Sequence, residues 1–196
     1  MSGISQAAEN NKSHIAEVLV PLFASCHYVL EIASGTGQHA VYMGGLLPDI
    51  VWQTSDLSEN HDIINERIER EGSSNVRAPM VLDVAQQTWP VSDVDAVYAA
   101  NAVHIMSWQH VEALFTGVGK ILSKGGYLAL YGPYKYEGEF TTDSNARFDQ
   151  WLKARDAQSG IRDFEAVVTL AQNIGLSLKA DHNMPANNQL LIWQRD

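Results

Sequence analysis

Short apolar runs alternate with stretches of helical period along most of the chain. Residues 14–23 set Ile15, Val18, Leu19 and Leu22 three and four positions apart, which is one face of a helix. Residues 28–33 form a nearly continuous apolar run broken only by Glu31, the pattern of a strand buried on both faces. Helical spacing returns at 39–47, closed by Gly44, Gly45 and Pro48, and a second strand-like run covers 50–55. A charged helix is expected over 59–71, then strands over 79–84 and 95–101. Residues 108–122 read as a helix stopped by Lys124-Gly125-Gly126, and 127–131 as a fifth strand.

Apolar strands alternating with helices predict a parallel sheet covered on both faces. The C-terminal third departs from that rhythm. Residues 145–155 and 163–174 look helical, with Asp163 placed to cap the second helix. Two strand-like runs, 176–180 and 189–194, follow, joined by the turn-rich string DHNMPANN. A connection that short favours antiparallel neighbours over a crossover. The expected fold is therefore α/β: a Rossmann-like, doubly wound, mostly parallel seven-stranded sheet ending in an antiparallel hairpin.

Length and composition narrow this only slightly. One domain is expected from 196 residues. Thirteen Lys and Arg against 23 Asp and Glu leave a formal charge of −10, which repels phosphate backbones, so nucleic acid is not expected as a partner. The closest-spaced basic pairs, Lys153/Arg155 and Arg67/Arg70, lie beside acids. A single cysteine, Cys26, excludes an internal disulfide and suits a reducing compartment. The polar N-terminal stretch and the lack of a long apolar run point to a cytoplasmic protein with no membrane partner. Nothing in the pattern sets an oligomeric state.

The chemistry concentrates after the first strand, at Glu31-Ile-Ala-Ser-Gly35-Thr-Gly37. Glycines there admit close backbone approach to a ligand, and the following helix start offers free N–H groups. Gly35-x-Gly37-x-x-Ala40 fits the dinucleotide fingerprint, with Asp56 lying 21 residues after Gly35. Three features weigh against that reading. Ala33, Gly35 and Gly37 form a run of small residues at alternate positions. The Glu31 carboxylate suits an ammonium group and repels a pyrophosphate. The chain ends in helices and an antiparallel pair, not in a second βαβαβ half.

Glu31-x-Ala33-x-Gly35-x-Gly37, Asp56 after the second strand, Asp83 near the end of the third and Lys124-Gly125-Gly126 before the fifth resemble class I S-adenosylmethionine (SAM)-dependent methyltransferases. The strings LEIASGTGQHAVY, WQTSD, AANAVHI, YGPY, TTDSNARFD, GIRDFE and PANNQLLIW further resemble the methyltransferase-like protein 26 family over nearly the whole chain. The resemblance implies SAM as cofactor, S-adenosylhomocysteine (SAH) as its product, and a small molecule as methyl acceptor. It places Glu31, Ala33, Gly35, Thr36 and Gly37 along the methionine end. Asp56 and Leu57 fall at the ribose, Asp83 and Val84 at the adenine, and Asn101 and Ala102 beneath the methionine. It implies one domain over 1–196: an N-terminal helix or lid (1–24), a cofactor-binding core (25–131) and a substrate side (132–196).

Methyl transfer from a sulfonium asks chiefly for alignment and exclusion of water, and for some acceptors a base. His104, just past the fourth strand, is the candidate base. Tyr131, ending the fifth strand, is a second candidate catalytic residue at the same sheet edge. His39, on the first turn of the cofactor helix, reads most simply as facing solvent or capping. Tyr134, Asn145, Arg162, Asn187 and Asn188 lie in polar loops that could converge into a substrate pocket, with Arg162 able to grip a carboxylate or phosphate. Trp89, Trp108 and Trp151 are read as packing residues, and no metal is called for.

Overall fold

The computed structural model describes residues 3–196. Helix α1 (Gln6–Phe23) starts where the Ser5 hydroxyl accepts a hydrogen bond from the Ala8 amide. It begins two turns earlier than the apolar period suggests, because its buried face starts with a polar residue, Asn11, before continuing with Ile15, Leu19 and Phe23. Then come β1 (Tyr28–Ile32), α2 (Gln38–Leu46), β2 (Val51–Asp56), α3 (His61–Glu71), β3 (Val76–Val81), β4 (Val94–Ala100), α4 (Trp108–Ile121) and β5 (Leu122–Gly132). The C-terminal part holds β6 (Tyr134–Tyr136), β7 (Glu139–Phe140), α5 (Asp143–Arg155), β8 (Arg162–Asp163), α6 (Phe164–Asn173), β9 (Leu176–Met184) and β10 (Asn188–Arg195).

Seven strands form one sheet in the order β3-β2-β1-β4-β5-β10-β9. The first five are parallel, and β10 lies antiparallel between β5 and β9. This is the expected doubly wound sheet with its terminal hairpin. One face packs α1 and α2 through Ile15, Leu19, Met43, Trp52 and Tyr98. The other packs α4 and α6 through Val97, Phe115, Leu128, Val167 and Trp193. Chain order reverses around β1, whose neighbours are β2 and β4, and crevices at such switch points hold ligands in open α/β sheets.

Several boundaries differ from expectation for identifiable reasons. Strand β3 runs 76–81, not 79–84, so Asp83 lies in the following loop. Pro79 is tolerated within it because β3 is an edge strand and its pairing shifts register opposite Gln53 and Ser55. Lys124-Gly125-Gly126 does not cap α4. That helix passes straight into β5, and these residues form a bulge between the pairs Val94–Leu122 and Ala96–Tyr127, with Gly125 at φ +77°. Half of the DHNMPANN string, Asp181–Met184, extends β9, leaving a tight turn at Pro185–Asn187 before β10. Strands β6, β7 and β8 form a small second sheet absent from the expected plan, because its strands are too short to show a period.

Candidate functional site

The turn after β1 is built from left-handed backbone at Ala33 (φ +55°), Gly35 (+58°) and Gly37 (+71°). Glycine adopts this region freely, whereas an alanine is strained there by roughly 1–2 kcal/mol. A side chain at Gly35 would meet nothing closer than the Ala33 carbonyl at 3.9 Å, so space is open beside the turn. The turn is stitched to the end of β2. Ser34 N–H donates to the Ser55 carbonyl at 3.0 Å, and Gly35 N–H donates to Asp56 Oδ2 at 2.8 Å. Asp56 Oδ1 accepts from the Leu57 amide and from Asn60 Nδ2, both at 2.8 Å. Three of roughly four carboxylate lone-pair sites are thus occupied. Leu57 itself is exposed. The Thr36 hydroxyl donates to Gln38 Oε1, and the Thr36 carbonyl accepts from Arg67 Nε.

Glu31 is almost wholly enclosed beneath this turn, where Oε2 accepts from the Trp52 indole at 2.9 Å. Burial pushes its carboxyl up to about 7, helped by the Asp56 charge and opposed by the Trp52 and Ser34 hydrogen bonds. Asp83 makes a turn, its Oδ1 accepting from the Ala85 amide, beside a buried Val84. Ala102 is buried, and its carbonyl accepts from the Ile105 and Met106 amides.

At the ends of β4 and β5 lies a cavity of about 390 Å³ whose walls include Asn101, Tyr131, Asn145, Phe148 and Asn188. Asn101 is held at φ +55°, and its amide donates to the Tyr131 carbonyl at 2.8 Å. Helix α1 closes one side with Ala7, Asn10 and Asn11. It is tied down across the glycine turn: Gln38 Nε2 donates to Glu9 Oε1 and to the Ser5 carbonyl, and the Arg67 guanidinium donates to the Gly3 carbonyl.

Three of the five expected substrate residues gather near this cavity. Asn145 and Asn188 line it, and Asn187 sits behind them, its carbonyl accepting from Asn145 Nδ2 at 3.0 Å. The other two require correction. Tyr134 is packed in the hydrophobic core, and its hydroxyl has no partner among the described residues. Arg162 spends its guanidinium on the carbonyls of Val103, Met106 and Gln158 and lies over the Trp108 ring, so it braces the 103–108 turn instead of offering a free fork to an anion. Asp163 stands at the start of α6 without capping it and pairs with Lys135 at 3.3 Å.

The two candidate catalytic residues part company. Tyr131 lines the cavity. His104 is not among its walls; the ring is buried edge-on against Phe148, and burial together with the Arg162 cation holds its pKa down at about 4. His39 faces neither solvent nor a helix end. It is buried, with Nε2 2.7 Å from Asn11 Oδ1 and Nδ1 3.1 Å from the Tyr98 hydroxyl, and burial lowers its pKa to about 4. A neutral ring that donates from Nε2 and accepts at Nδ1 satisfies both contacts. Asn11 leads on to the Tyr131 hydroxyl, which lies within hydrogen-bonding reach of both Asn11 and Asn188. Sequence reasoning places Asn10 and Asn11 only within a polar Glu9–Lys12 segment that could act as a lid, and does not reach Phe148. The legible signal is Asn11 itself, one helical step before Ile15 and Leu19 on the same stripe. Trp89 is buried and packs against Gly117, whereas Trp151 is half exposed and stacks on Phe148.

Comparison with known proteins fits this geometry. A family model described as a protein of unknown function (DUF938) matches residues 2–195. Among solved structures, an O-methyltransferase family protein from Burkholderia thailandensis superposes with a TM-score of 0.87 at 16% identity, over 97% of this chain and 57% of that one. An O-methyltransferase family 2 protein from Planctomyces limnophilus, in complex with apigenin, gives 0.84 at 17% identity, over 97% and 58%. PigF with SAH gives 0.78 at 13% identity, over 91% and 53%. These likenesses show a shared fold, and the chain spans a little more than half the length of these structures. Among the described residues no helix is long and apolar enough to cross a membrane, and no cluster of three metal-ligating side chains occurs.

Proposed function

The chain belongs to the DUF938 family, and on that premise we propose that it binds SAM and transfers its methyl group to a small molecule. The observation that carries this reading is the bond from Gly35 N–H to Asp56 at the sheet's switch point. It joins a glycine turn with open space beside it to a carboxylate whose remaining lone-pair site can take a ribose hydroxyl. Glu31 lies below, where an ammonium group would stabilise its ionised form. When bound, SAM supplies an electrophilic methyl on a sulfonium. The chain's own residues do the rest. The turn and Asp56 orient the cofactor, Asn101 lies beneath its methionine end at the border with the acceptor side that Tyr131 marks, and the start of α1 shields both from water.

A general base is not required by this arrangement. His104, with its lowered pKa, stays neutral at pH 7 and holds a proton poorly. Tyr131, flanked by Asn11 and Asn188 on the cavity wall, is the better placed of the two to orient an acceptor. A nicotinamide cofactor is disfavoured by β10, which is antiparallel where a second βαβ half would continue the parallel sheet. The finer likeness to the methyltransferase-like protein 26 family, a lid role for residues 1–24 and a cytoplasmic setting consistent with unpaired Cys26 belong to the same proposal. Isothermal titration with SAM, SAH and NADH in parallel tests it. Micromolar binding of SAM and SAH is expected, with a loss on Asp56→Ala on the order of 1.5–3 kcal/mol. Binding of NADH alone, or unchanged SAH affinity in a folded Asp56→Ala protein, would overturn it.

A further inference from the structure

The cavity beside Asn101 has an unusual lining for its size. Five asparagines, Asn10, Asn11, Asn101, Asn145 and Asn188, meet there with the Tyr131 phenol, and among the described residues no charged side chain forms any of its wall. An amide presents donors and an acceptor but no net charge. Part of this capacity is spent within the protein. Asn145 Nδ2 donates to Thr141 and to the Asn187 carbonyl, and Asn188 Nδ2 donates to the Pro185 and Ala186 carbonyls. Asn10 Oδ1 accepts from Gln6, and Asn11 Oδ1 is held by His39.

What is left over defines the ligand. The Asn101 side chain makes no hydrogen bond among the described residues, although left-handed backbone fixes where it starts. Asn145 Oδ1 accepts no hydrogen bond among the described residues either. The cavity therefore keeps both donors and acceptors for a guest. Its apolar walls are flat: Phe148, braced by a stack on Trp151, with Pro133 and Pro185. At about 390 Å³ it is near the small end of ligand sites and holds about thirteen waters' worth of space. The cavity opens to solvent past the exposed Ala7, Asn10, Ser144, Pro185 and Ala186, and an ion seated against its inner wall would find no counter-charge there.

We propose that this cavity takes an uncharged, flat small molecule carrying both a hydrogen-bond donor and an acceptor, of the aromatic amide or phenol class, as the methyl acceptor: its oxygen or nitrogen would bond the methyl carbon as the sulfonium S–C bond breaks, SAH would leave, and the acceptor's proton would pass to solvent water. The word acceptor rests on the function proposed above; the binding preference does not. Benzamide, benzoate and benzamidinium share one shape and differ in charge, which makes them suitable probes. Ligand-observed NMR titrations on the full chain, with and without saturating SAH, should give benzamide an affinity at least tenfold above either ion. Ala7→Trp, at an exposed position of α1 on the cavity wall, should fill the space and weaken benzamide more than tenfold. Benzoate or benzamidinium binding as tightly as benzamide would overturn the proposal, as would no binding of all three or full benzamide affinity in Ala7→Trp. A benzamide preference that persists while SAH fails to bind would uphold the cavity assignment and refute methyl transfer instead.

Discussion

Replacing Glu31 by Gln should make the protein more stable in alkaline solution and less stable in mild acid. The carboxyl sits at about 7 in the fold against an ordinary value of 4.5, with burial the largest cause. A group whose pKa is raised by folding stabilises fully below the unfolded value and loses that contribution as pH climbs through the folded one. The loss therefore runs from about 4.5 to about 7 and amounts to about 3 kcal/mol, at 1.36 kcal/mol for each tenfold change. Glutamine cannot ionise and keeps an acceptor for the Trp52 indole, but it brings an N–H pair with no evident partner, costing about 1 kcal/mol. The net expectation is a gain of about 2 kcal/mol at pH 8.5, near balance at pH 5, and a loss of about 1 kcal/mol at pH 4. In a chain of this length that is a melting point about 6 °C higher in alkali and about 3 °C lower in acid. Thermal or urea unfolding of both proteins across the range reads this directly. Melting curves that stay parallel from pH 5 to 8.5 would refute a buried, titrating Glu31. If an ammonium group meets this carboxylate, the stabilised variant should also bind SAH more weakly.

Other expectations follow from particular contacts. His39 and His104 both titrate near 4 in the fold against 6.5 unfolded. A lowered pKa gives stability above the unfolded value that is lost as pH falls through the folded one, so two histidines oppose one Glu31 between pH 4 and 6.5. Urea midpoints should climb across that window, and a flat profile would contradict neutral burial of both rings. Gly117→Ala places a methyl 2.1 Å from Trp89, inside contact distance. It should cost about 2–3 kcal/mol by denaturant titration, and a neutral result would mean that α4 is not seated against Trp89 as described.

Much of the architecture is legible in the residue pattern alone. The runs at β1, β2, β4 and β5 are apolar because both sheet faces are covered, and a buried strand has no choice in the matter. The glycine turn and Asp56 are legible because left-handed backbone and a strand-end acid leave residue-type signatures. Tyr134 and Arg162 mislead because loop composition says that a residue is polar, not which way it points. Tyr134 turns into the core, and Arg162 turns to satisfy three carbonyls of the 103–108 turn and its neighbourhood. The resemblance points to a helix or lid over 1–24, but the start of α1 is hidden because Asn11 breaks the apolar stripe that would have marked it.

Local sequence determined the elements, their order and the glycine turn, since period, capping and left-handed φ are properties of neighbouring residues. Only tertiary structure decided the cavity. Asn11, Asn101, Tyr131, Asn145 and Asn188 are scattered over most of the chain, and they converge because β10 inserts beside β5 while α1 lies across the sheet edge. No spacing rule encodes that meeting; it is set by the packing of the whole sheet, which is also what leaves the cavity without a charge.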